Sequence, residues 1–309
     1  MATEGEGPAE GLPDRDVSLT TSSFASQIGD EASHDSGAAD EPEIVVHCSD
    51  LHFGSGFLPK RAEDLLQSIQ QIRPNLAVIS GDLTMRARTE QFKAARAFLQ
   101  QIPAPLIAIP GNHDVPLYNL WERLTHPFEN YNRYIAPLNS GPVRLQHVSF
   151  FGMNTVNPHR HQQGKFRLLE MMEMESWASQ QSDCWRVAVI HQHFANVPHH
   201  ERPGTFRRGE AALKRFSGAG VHAILHGHVH YQHVASSAEF FPSVEPPVVL
   251  VSAGTPTSLR TRGARPTNNF NVLKFRRDSF EVQQWDWVAE RQGFAAERQV
   301  KFDKRFFER

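Results

Sequence analysis

The chain of 309 residues contains only two cysteines, Cys48 and Cys184, which lie far apart in the sequence. They form neither a Cys-x-x-Cys pair nor a zinc-knuckle spacing, so we expect two inert, partly buried thiols. The sequence also has no apolar run of about 18 residues, which argues against a membrane-spanning helix. Histidine, with 17 residues, is the unusual part of the composition.

Residues 1–42 lack a periodic apolar pattern and are rich in Gly, Ser, Ala, Asp and Glu, which predicts a disordered acidic tail. The same segment lacks the apolar core of a secretory signal and is too acidic for a mitochondrial transit peptide, so we expect a cytoplasmic protein. The rest of the chain is mildly basic, which suits an anionic substrate. Because its bases are scattered, they do not by themselves indicate nucleic acid, and they leave that alternative open.

Three short apolar runs in the first half of the chain each end in carboxylate, amide or imidazole side chains. The runs and the polar residues after them are 43–48 with Asp50 and His52, 75–79 with Asp82, and 105–109 with Asn112 and His113. Helical patterns separate the runs, and this alternation predicts parallel strands joined by right-handed crossovers. The carboxyl ends of such strands open onto one crevice, so these side chains should converge.

Later in the chain, two further apolar runs end in histidine, at His191 and at the pair His228 and His230. The strand-like segments after residue 247 have no long helices between them, and we expect them to be meander strands of a second sheet. The segment 289–309 mixes bases with phenylalanines. It is predicted to be either an edge strand or a docking segment.

The polar residues at the five strand ends form one set of oxygen and nitrogen donors without a thiolate: Asp50, His52, Asp82, Asn112, His191, His228 and His230. This composition suits Mn, Fe or Zn better than Ca or Mg. Seven donors are too many for one tetrahedral ion, and they fit two ions about 3.5–4 Å apart that share a carboxylate. Each motif alone is weak, since a lone His-x-His or Gly-Asp is more often structural, but their combination at strand ends indicates a site.

The direction of side chains along the backbone refines this expectation. In locally extended chain, residues i and i+2 point the same way, so Asp50 and His52 can bind one ion. Neighbouring residues point apart, so Asn112 can face a metal while His113 faces the substrate. Loop residues that can border such a site and contact an anionic substrate are Arg86, Arg88, Asn154, His161 and His193.

Taken in order, the motifs resemble the signature of the calcineurin-like metallophosphoesterase superfamily. They are Asp50-Leu51-His52, Gly81-Asp82, Gly111-Asn112-His113-Asp114, His191 and Gly227-His228-Val229-His230. The resemblance covers about residues 43–288, which we take as the metallophosphoesterase domain, followed by a basic and aromatic tail from 289 to 309. It is nearest to the bacterial class III cyclic-nucleotide phosphodiesterase-like subgroup, although Gln192 stands where that subgroup often has a second histidine. The implied fold is an α/β protein, a four-layer αββα sandwich.

The resemblance also implies roles for individual residues. One ion would be held by Asp50, His52, Asp82 and His230, and the other by Asp82, Asn112, His191 and His228, with Asp82 as the bridge. His113 would stabilise or protonate the leaving oxygen, and Asp114 would orient its ring. The two ions, divalent or trivalent transition metals such as Mn, Fe or Zn, would activate a bridging hydroxide.

The implied enzyme hydrolyses a small anionic phosphate ester, first of all a phosphodiester such as a 3′,5′-cyclic nucleotide. The alternatives within the superfamily are a pyrophosphatase of a nucleotide-sugar lipid, a phosphomonoesterase and a nuclease. A protein-binding scaffold of the same fold is the alternative without catalysis. The sequence leaves the native metal pair, the physiological substrate and the oligomeric state open.

Overall fold

The computed structural model describes residues 41–195, 206–263 and 266–308. The predicted acidic tail therefore lies outside the described residues, except for its last two positions. In the described part, the strands β1 to β12 are Glu43–Cys48, Leu76–Ile79, Leu106–Ala108, Val143–Arg144, Val148–Gly152, Trp185–Val189, Ala223–His226, His233–Ser236, Val249–Ser252, Asn269–Phe275, Ser279–Val288 and Gly293–Asp303. The helices α1 to α6 are Pro59–Ile72, Thr89–Leu99, Leu120–Thr125, Glu129–Tyr134, Leu168–Ser179 and Gly209–Gly218.

The first sheet has the strand order β12-β11-β10-β1-β2-β3. Its β1, β2 and β3 are parallel, as the alternation of strands and helices predicts. Helix α1 begins at Pro59, whose fixed φ suits the first turn, and it ends where Arg73 adopts a left-handed conformation. The crossovers through α1 and α2 bring the carboxyl ends of the three parallel strands to one edge of the sheet.

The expectation that the late meander belongs to a second sheet is wrong for most of its strands. Strand β10 pairs antiparallel with β1, with Val45 opposite Leu273, and β11 and β12 extend the first sheet from there. Of the three strands expected in this meander, β9, β10 and β11, only β9 lies in the second sheet. The physical reason is that β1 is buried and needs hydrogen-bond partners on both edges, and β2 supplies only one of them.

The second sheet has the order β4-β5-β6-β7-β9-β8. Strands β5, β6, β7 and β9 are parallel, and the antiparallel strands β4 and β8 form its two edges. Their near-continuous apolar sequences are typical of parallel strands that are covered on both faces. The carboxyl ends of β6 and β7 carry the later histidine motifs.

Three apolar clusters show how the layers pack. Val46 and Ala77 face α1 and α2, whereas the alternate residues Val45 and Val78 face the second sheet. A third cluster joins the far side of the second sheet, with Ile224 among its residues, to α5 and α6. The layers therefore run helices, sheet, sheet, helices, which confirms the predicted αββα sandwich.

The C-terminal segment forms the edge strand β12, one of the two forms that the sequence allowed for it. Beyond this strand, Phe306 and Phe307 pack against the apolar cluster between the sheets, together with Phe302. No helix within the described ranges combines the length and the hydropathy that a membrane span requires.

Candidate metal centre

The strand ends of both sheets meet, as the sequence predicts. Asp50 and Asp82 follow β1 and β2 of the first sheet, and Asn112 follows β3. Facing them from the second sheet, His191 follows β6 and His228 follows β7. The two carboxylates and His191 are at most 1% exposed, so the charged groups lie in a region of low dielectric constant.

The first group of donors consists of Asp50, His52, Asp82 and His230, whose ligand atoms all lie within 4.8 Å of one another. His230 Nε2 lies 3.1 Å from Asp50 Oδ1 and 2.9 Å from His52 Nε2. The same His52 nitrogen is 3.6 Å from Asp50 Oδ1 and 3.8 Å from Asp82 Oδ2. Two imidazole nitrogens and two carboxylates thus point at a common centre.

The second group consists of Asp82, His191 and His228. His191 Nε2 lies 3.3 Å from Asp82 Oδ1. Asn112 joins this group, because its Oδ1 is 3.1 Å from His191 Nε2 and 2.8 Å from His228 Nδ1. Asp82 offers Oδ2 to the first group and Oδ1 to the second, so it is common to both.

The backbone at these residues differs from the expected extended chain. Five of the seven donors, namely Asp50, His52, Asp82, His228 and His230, have φ between 51° and 73°, in the left-handed region. Asp50 and His52 do share one group, but they reach it through tight turns and not through the i, i+2 alternation of a strand. Non-glycine residues adopt this conformation at a cost of about 1–3 kcal/mol each and concentrate at functional sites.

Backbone carbonyl groups fix the orientation of two of the histidines. His191 Nδ1 donates to the carbonyl oxygen of Ser80 at 2.7 Å, and His230 Nδ1 donates to that of Arg260, also at 2.7 Å. With Nδ1 carrying the hydrogen, each Nε2 presents its lone pair to the site when the ring is neutral. Such hydrogen bonds are typical of metal-binding histidines.

The donor set therefore fits a cation. Around the second group, the lone pairs of His191 Nε2, Asp82 Oδ1 and Asn112 Oδ1 face one another and repel unless positive charge lies between them. Asp50 Oδ1, in the first group, has no hydrogen-bond donor among the described residues. Burial lowers the pKa of His191, but the charges of Asp82 and Asp50 outweigh burial and raise that pKa to about 9. These observations show that the site attracts positive charge, and together with the nature of the donors they suit a dimetal centre.

His113 lies against this centre, and its backbone N–H donates to Asp82 Oδ1 at 2.8 Å. Its ring Nδ1 lies 2.9 Å from the carbonyl oxygen of Met85, which leaves Nε2 as the nitrogen available to a substrate. The ring is 4.9 Å from that of His52, measured between centroids. The main chain of the loop after β2 therefore sets the ring orientation.

The expected role of Asp114 needs correction. Its carboxylate accepts hydrogen bonds from the backbone N–H groups of Leu83, Thr84 and Gly111 and from the Thr84 hydroxyl, and none from the His113 ring. Burial and the charge of Asp82 outweigh these donors and raise the pKa of Asp114 to about 7. Asp114 thus joins the turns that carry the donors and does not orient the His113 ring itself.

The loop residues expected at the border of the site divide into two sets. Arg86 and His161 lie beside His113, with Arg86 Nη1 3.3 Å from His113 Nδ1 and the His161 ring 5.2 Å from the His113 ring. His193 stacks on His228, with ring centroids 5.4 Å apart. Asn154 is used in its own turn, where its side chain accepts from the Val156 N–H, and Arg88 is exposed.

Sequence reasoning missed three contributors to the site. Ser80, Met85 and Arg260 orient His191, His113 and His230, respectively, through main-chain carbonyl groups. Every residue has a carbonyl group, so no side-chain pattern marks these positions. Arg260 lies 30 residues after its histidine, and only the folded chain brings the two together.

Comparison with known proteins places this geometry in a family. Residues 44–232 match the family model described as calcineurin-like phosphoesterase. The chain belongs to the calcineurin-like phosphoesterase family. The family resemblance inferred from the motifs is thereby confirmed.

Curated relatives of this family member include several proteins named as phosphodiesterases. A cAMP/cGMP dual specificity phosphodiesterase of Mycobacterium tuberculosis is 26% identical over 76% of the chain and 78% of its own length. A glycerophosphodiester phosphodiesterase of Enterobacter lignolyticus is 36% identical over 23% of the chain, and a UDP-2,3-diacylglucosamine pyrophosphatase of Chlamydia trachomatis is 27% identical over 35%. The chain spans only 29% and 32% of these last two proteins.

Solved structures share the fold of this chain. The purple acid phosphatase of yellow lupin seeds (Lupinus luteus) has a TM-score of 0.61 at 11% identity, covering 88% of the chain and 56% of the plant enzyme. PhoD has a TM-score of 0.60 at 10% identity, covering 87% of the chain and 71% of that protein. At such low identity these likenesses show the architecture alone.

Proposed function

We propose that this phosphoesterase is a phosphodiesterase with two transition-metal ions, Mn, Fe or Zn. One ion would be held by Asp50, His52, Asp82 and His230, and the other by Asp82, Asn112, His191 and His228. The observation that carries the proposal is that the donors, all of them buried except the partly exposed His228, form two groups with Asp82 common to both. A carboxylate shared between two sites is what a pair of closely spaced ions requires.

When bound, such ions would supply Lewis acidity and activate water near neutral pH. The residues of the chain would orient the metal-binding imidazoles and interact with the leaving oxygen. The Ser80 and Arg260 carbonyl groups hold two imidazoles with Nε2 toward the centre. His113, held by the carbonyl of Met85, presents Nε2 to the leaving oxygen and would stabilise it or donate a proton to it.

A diester is favoured over a monoester by the relatives. The Mycobacterium tuberculosis protein, which aligns over most of both chains, is named for cyclic nucleotides, and the Enterobacter protein is named for glycerophosphodiesters. Both compounds have a phosphorus atom esterified on two sides. These names support the phosphodiester class for this chain, with cyclic nucleotides as the first compounds to test.

The proposal is tested with protein reconstituted with Mn²⁺ or with iron, assayed on bis-p-nitrophenyl phosphate, p-nitrophenyl phosphate and cyclic AMP. We expect metal-dependent hydrolysis of the diester, greater than that of the monoester, and its loss in Asp82→Ala. Glu63→Ala is a matched acidic control, because the Glu63 side chain is 71% exposed on α1. It should retain wild-type activity.

Other outcomes lead to other conclusions. A preference for the monoester would make the protein a phosphatase. Full metal content without hydrolysis of any of the three compounds would contradict the proposal for these ester classes and favour the protein-binding scaffold. Hydrolysis that persists in the Asp82→Ala variant would contradict the assignment of the site.

A further inference from the structure

A group of buried polar side chains lies next to the metal centre, in the space between the two sheets. Its members are His47, Ser80, Gln232 and Asn271, and each is at most 9% exposed. We call them the buried polar network. His47 belongs to β1, where its side chain points the same way as that of Val45, toward the second sheet. Polar groups at such a place are costly unless they are hydrogen-bonded to one another.

Main-chain carbonyl groups fix the orientation of the two amides in this network. Gln232 Nε2 donates to the carbonyl oxygen of Phe270 at 2.7 Å and to Asn271 Oδ1 at 2.8 Å. Asn271 Nδ2 donates to the carbonyl oxygen of Ser252 at 3.1 Å. Because a carbonyl oxygen only accepts hydrogen bonds, the nitrogen of each amide must be the atom that faces it.

The orientation of Asn271 decides which nitrogen of His47 carries hydrogen. Asn271 lies directly opposite His47 in the pairing of β10 with β1, and its Nδ2 donates to His47 Nδ1 over 3.3 Å. The hydrogen of the neutral ring is therefore on Nε2, which donates to Ser80 Oγ at 2.9 Å. Burial, followed by the charge of His226, lowers the pKa of His47 to about 3, so the ring is neutral near pH 7.

Ser80 connects the buried polar network to a metal-binding residue. It follows β2, and its carbonyl oxygen accepts from His191 Nδ1 at 2.7 Å and from Ser49 Oγ at 3.3 Å. The next residue, Gly81, leaves room for the imidazole, since a Cβ there would lie 2.4 Å from His191 Nδ1. With such close packing, a shift of the Ser80 peptide group would move the His191 ring.

The network also connects the two sheets at the level of the metal centre. His47 and Asn271 belong to the first sheet, whereas Ser252 ends β9 of the second sheet. Gln232 directly precedes β8 of the second sheet and lies two residues after His230. The metal donors are likewise divided between the strand ends of the two sheets. The hydrogen bonds of the network therefore hold the two halves of the centre at a fixed spacing.

We propose that His47 is a positioning residue of the metal centre. Its bond to Ser80 keeps His191 Nε2 facing Asp82 and Asn112, where one ion of the proposed pair would bind. The inference rests on the proposed function, because that function supplies the ion pair. Hydrogen-bond partners in the outer shell of a metal site typically change metal affinity by about 10- to 100-fold. Because His47 acts through Ser80, we expect an effect of about tenfold.

Mn²⁺ titration followed by electron paramagnetic resonance tests this role without turnover, because it counts bound ions and distinguishes a spin-coupled pair from a single ion. His47→Phe keeps a ring but has no nitrogen to bond with Ser80. We expect it to bind one Mn²⁺ like the wild type and the other about tenfold more weakly. His47→Gln, whose Nε2 can donate to Ser80, should bind the second ion more tightly than His47→Phe does.

His222→Phe is the matched control. His222 accepts from the Arg186 backbone N–H at 3.0 Å and directly precedes β7, at the end of that strand away from the centre. The substitution also removes one imidazole hydrogen bond, yet it should leave the binding of both ions unchanged. Equal binding of both ions by His47→Phe and the wild type would overturn the proposal, and so would an equal loss in His222→Phe.

Ser80→Ala tests whether His47 acts through Ser80. This variant keeps the main-chain carbonyl group and loses only the hydroxyl that accepts from His47. We expect it to bind the second ion about as weakly as His47→Phe does, with no further loss when the two substitutions are combined, because both remove the same bond. Additive losses in the double variant would overturn the proposed route.

Nitrogen-15 NMR of the histidine rings in the metal-free wild-type protein tests the hydrogen bonds themselves and does not depend on the folding of His47→Phe. The His47 signals, identified by their absence from the spectrum of His47→Gln, should be those of a neutral ring with hydrogen on Nε2. Hydrogen on Nδ1, or on both nitrogens near pH 7, would overturn the proposal.

Hydrolysis of bis-p-nitrophenyl phosphate by the same preparations separates the two proposals. Metal-dependent hydrolysis by the wild type, together with unchanged metal binding in His47→Phe, removes the role of His47 alone. Two bound ions without hydrolysis, together with the expected weaker binding in His47→Phe, remove only the proposed phosphodiesterase activity.

Discussion

Replacing Gly227 by alanine should weaken metal binding without changing any donor. The added Cβ would overlap Ser49 Oγ and would lie 2.5 Å from Asp50 Oδ2. Both neighbouring residues are fully buried, so the turn must shift to make room. The next N–H, from His228, donates to Asp50 Oδ2 at 2.9 Å, and the shift would strain this bond.

Overpacking of a tight site costs about 1–3 kcal/mol, and a hydrogen bond to a charged group contributes about 1.5–3 kcal/mol. These costs overlap, and we expect a net effect of about 2–3 kcal/mol. If this free-energy cost applies to the metal-bound protein and not to the metal-free protein, it weakens Mn²⁺ affinity by about 30- to 150-fold.

The assay is a Mn²⁺ titration of Gly227→Ala with metal content measured by mass spectrometry, beside thermal unfolding to verify the fold. Gly218→Ala is the matched control, because a Cβ at this helical position meets no atom within 4 Å. It should bind Mn²⁺ like the wild type. Wild-type affinity in Gly227→Ala would refute the argument that the close approach of this turn to Asp50 supports the site.

Three further predictions concern catalysis and stability. His113→Ala should retain both metals and lose about 10²–10⁴ in kcat; normal turnover at full metal content would contradict its role at the leaving oxygen. Burial lowers the pKa of His222 to about 4, so below pH 6.5 the unfolded chain binds a proton that the folded chain does not. The free energy of unfolding therefore decreases as the pH is lowered through 6.5. His222→Asn should remove about 1.4 kcal/mol of the loss between about pH 7.5 and 5.5 in urea unfolding, and equal pH slopes for the two proteins would disprove this. Asp64→Ala should cost about 1–3 kcal/mol, because buried Asp64 accepts from Trp287 Nε1 at 3.0 Å, whereas exposed Glu63→Ala should change urea unfolding little.

Much of the site could be predicted from the sequence because its donors lie next to strand ends. Asp50, Asp82 and Asn112 each follow an apolar run, and parallel strands deliver their ends to one edge. That reasoning needs only local patterns and the handedness of crossovers. It does not need the backbone angles, and for this reason it placed Asp50 and His52 together while describing their backbone incorrectly.

The remaining features depend on contacts between distant parts of the chain. Strand β10 could have paired in either sheet, and the choice of β1 is made by partners such as Val45 and Leu273, 228 residues apart. The pattern of apolar residues in β10 would be the same whether the strand paired in the first sheet or in the second. The orienting carbonyl of Arg260 and the backbone donors to Asp114 are likewise invisible in sequence, since every residue has these groups.

The central claim is that Asp82 holds two ions together, and metal stoichiometry tests it most directly. Wild-type protein and Asp82→Asn, a variant of nearly the same shape, would be reconstituted with Mn²⁺, freed of loosely bound metal and analysed for ions per chain. We predict about two ions in the wild type, as in a site with a shared carboxylate, and at most one in Asp82→Asn. Two tightly held ions in Asp82→Asn, or none in the wild type, would contradict the account.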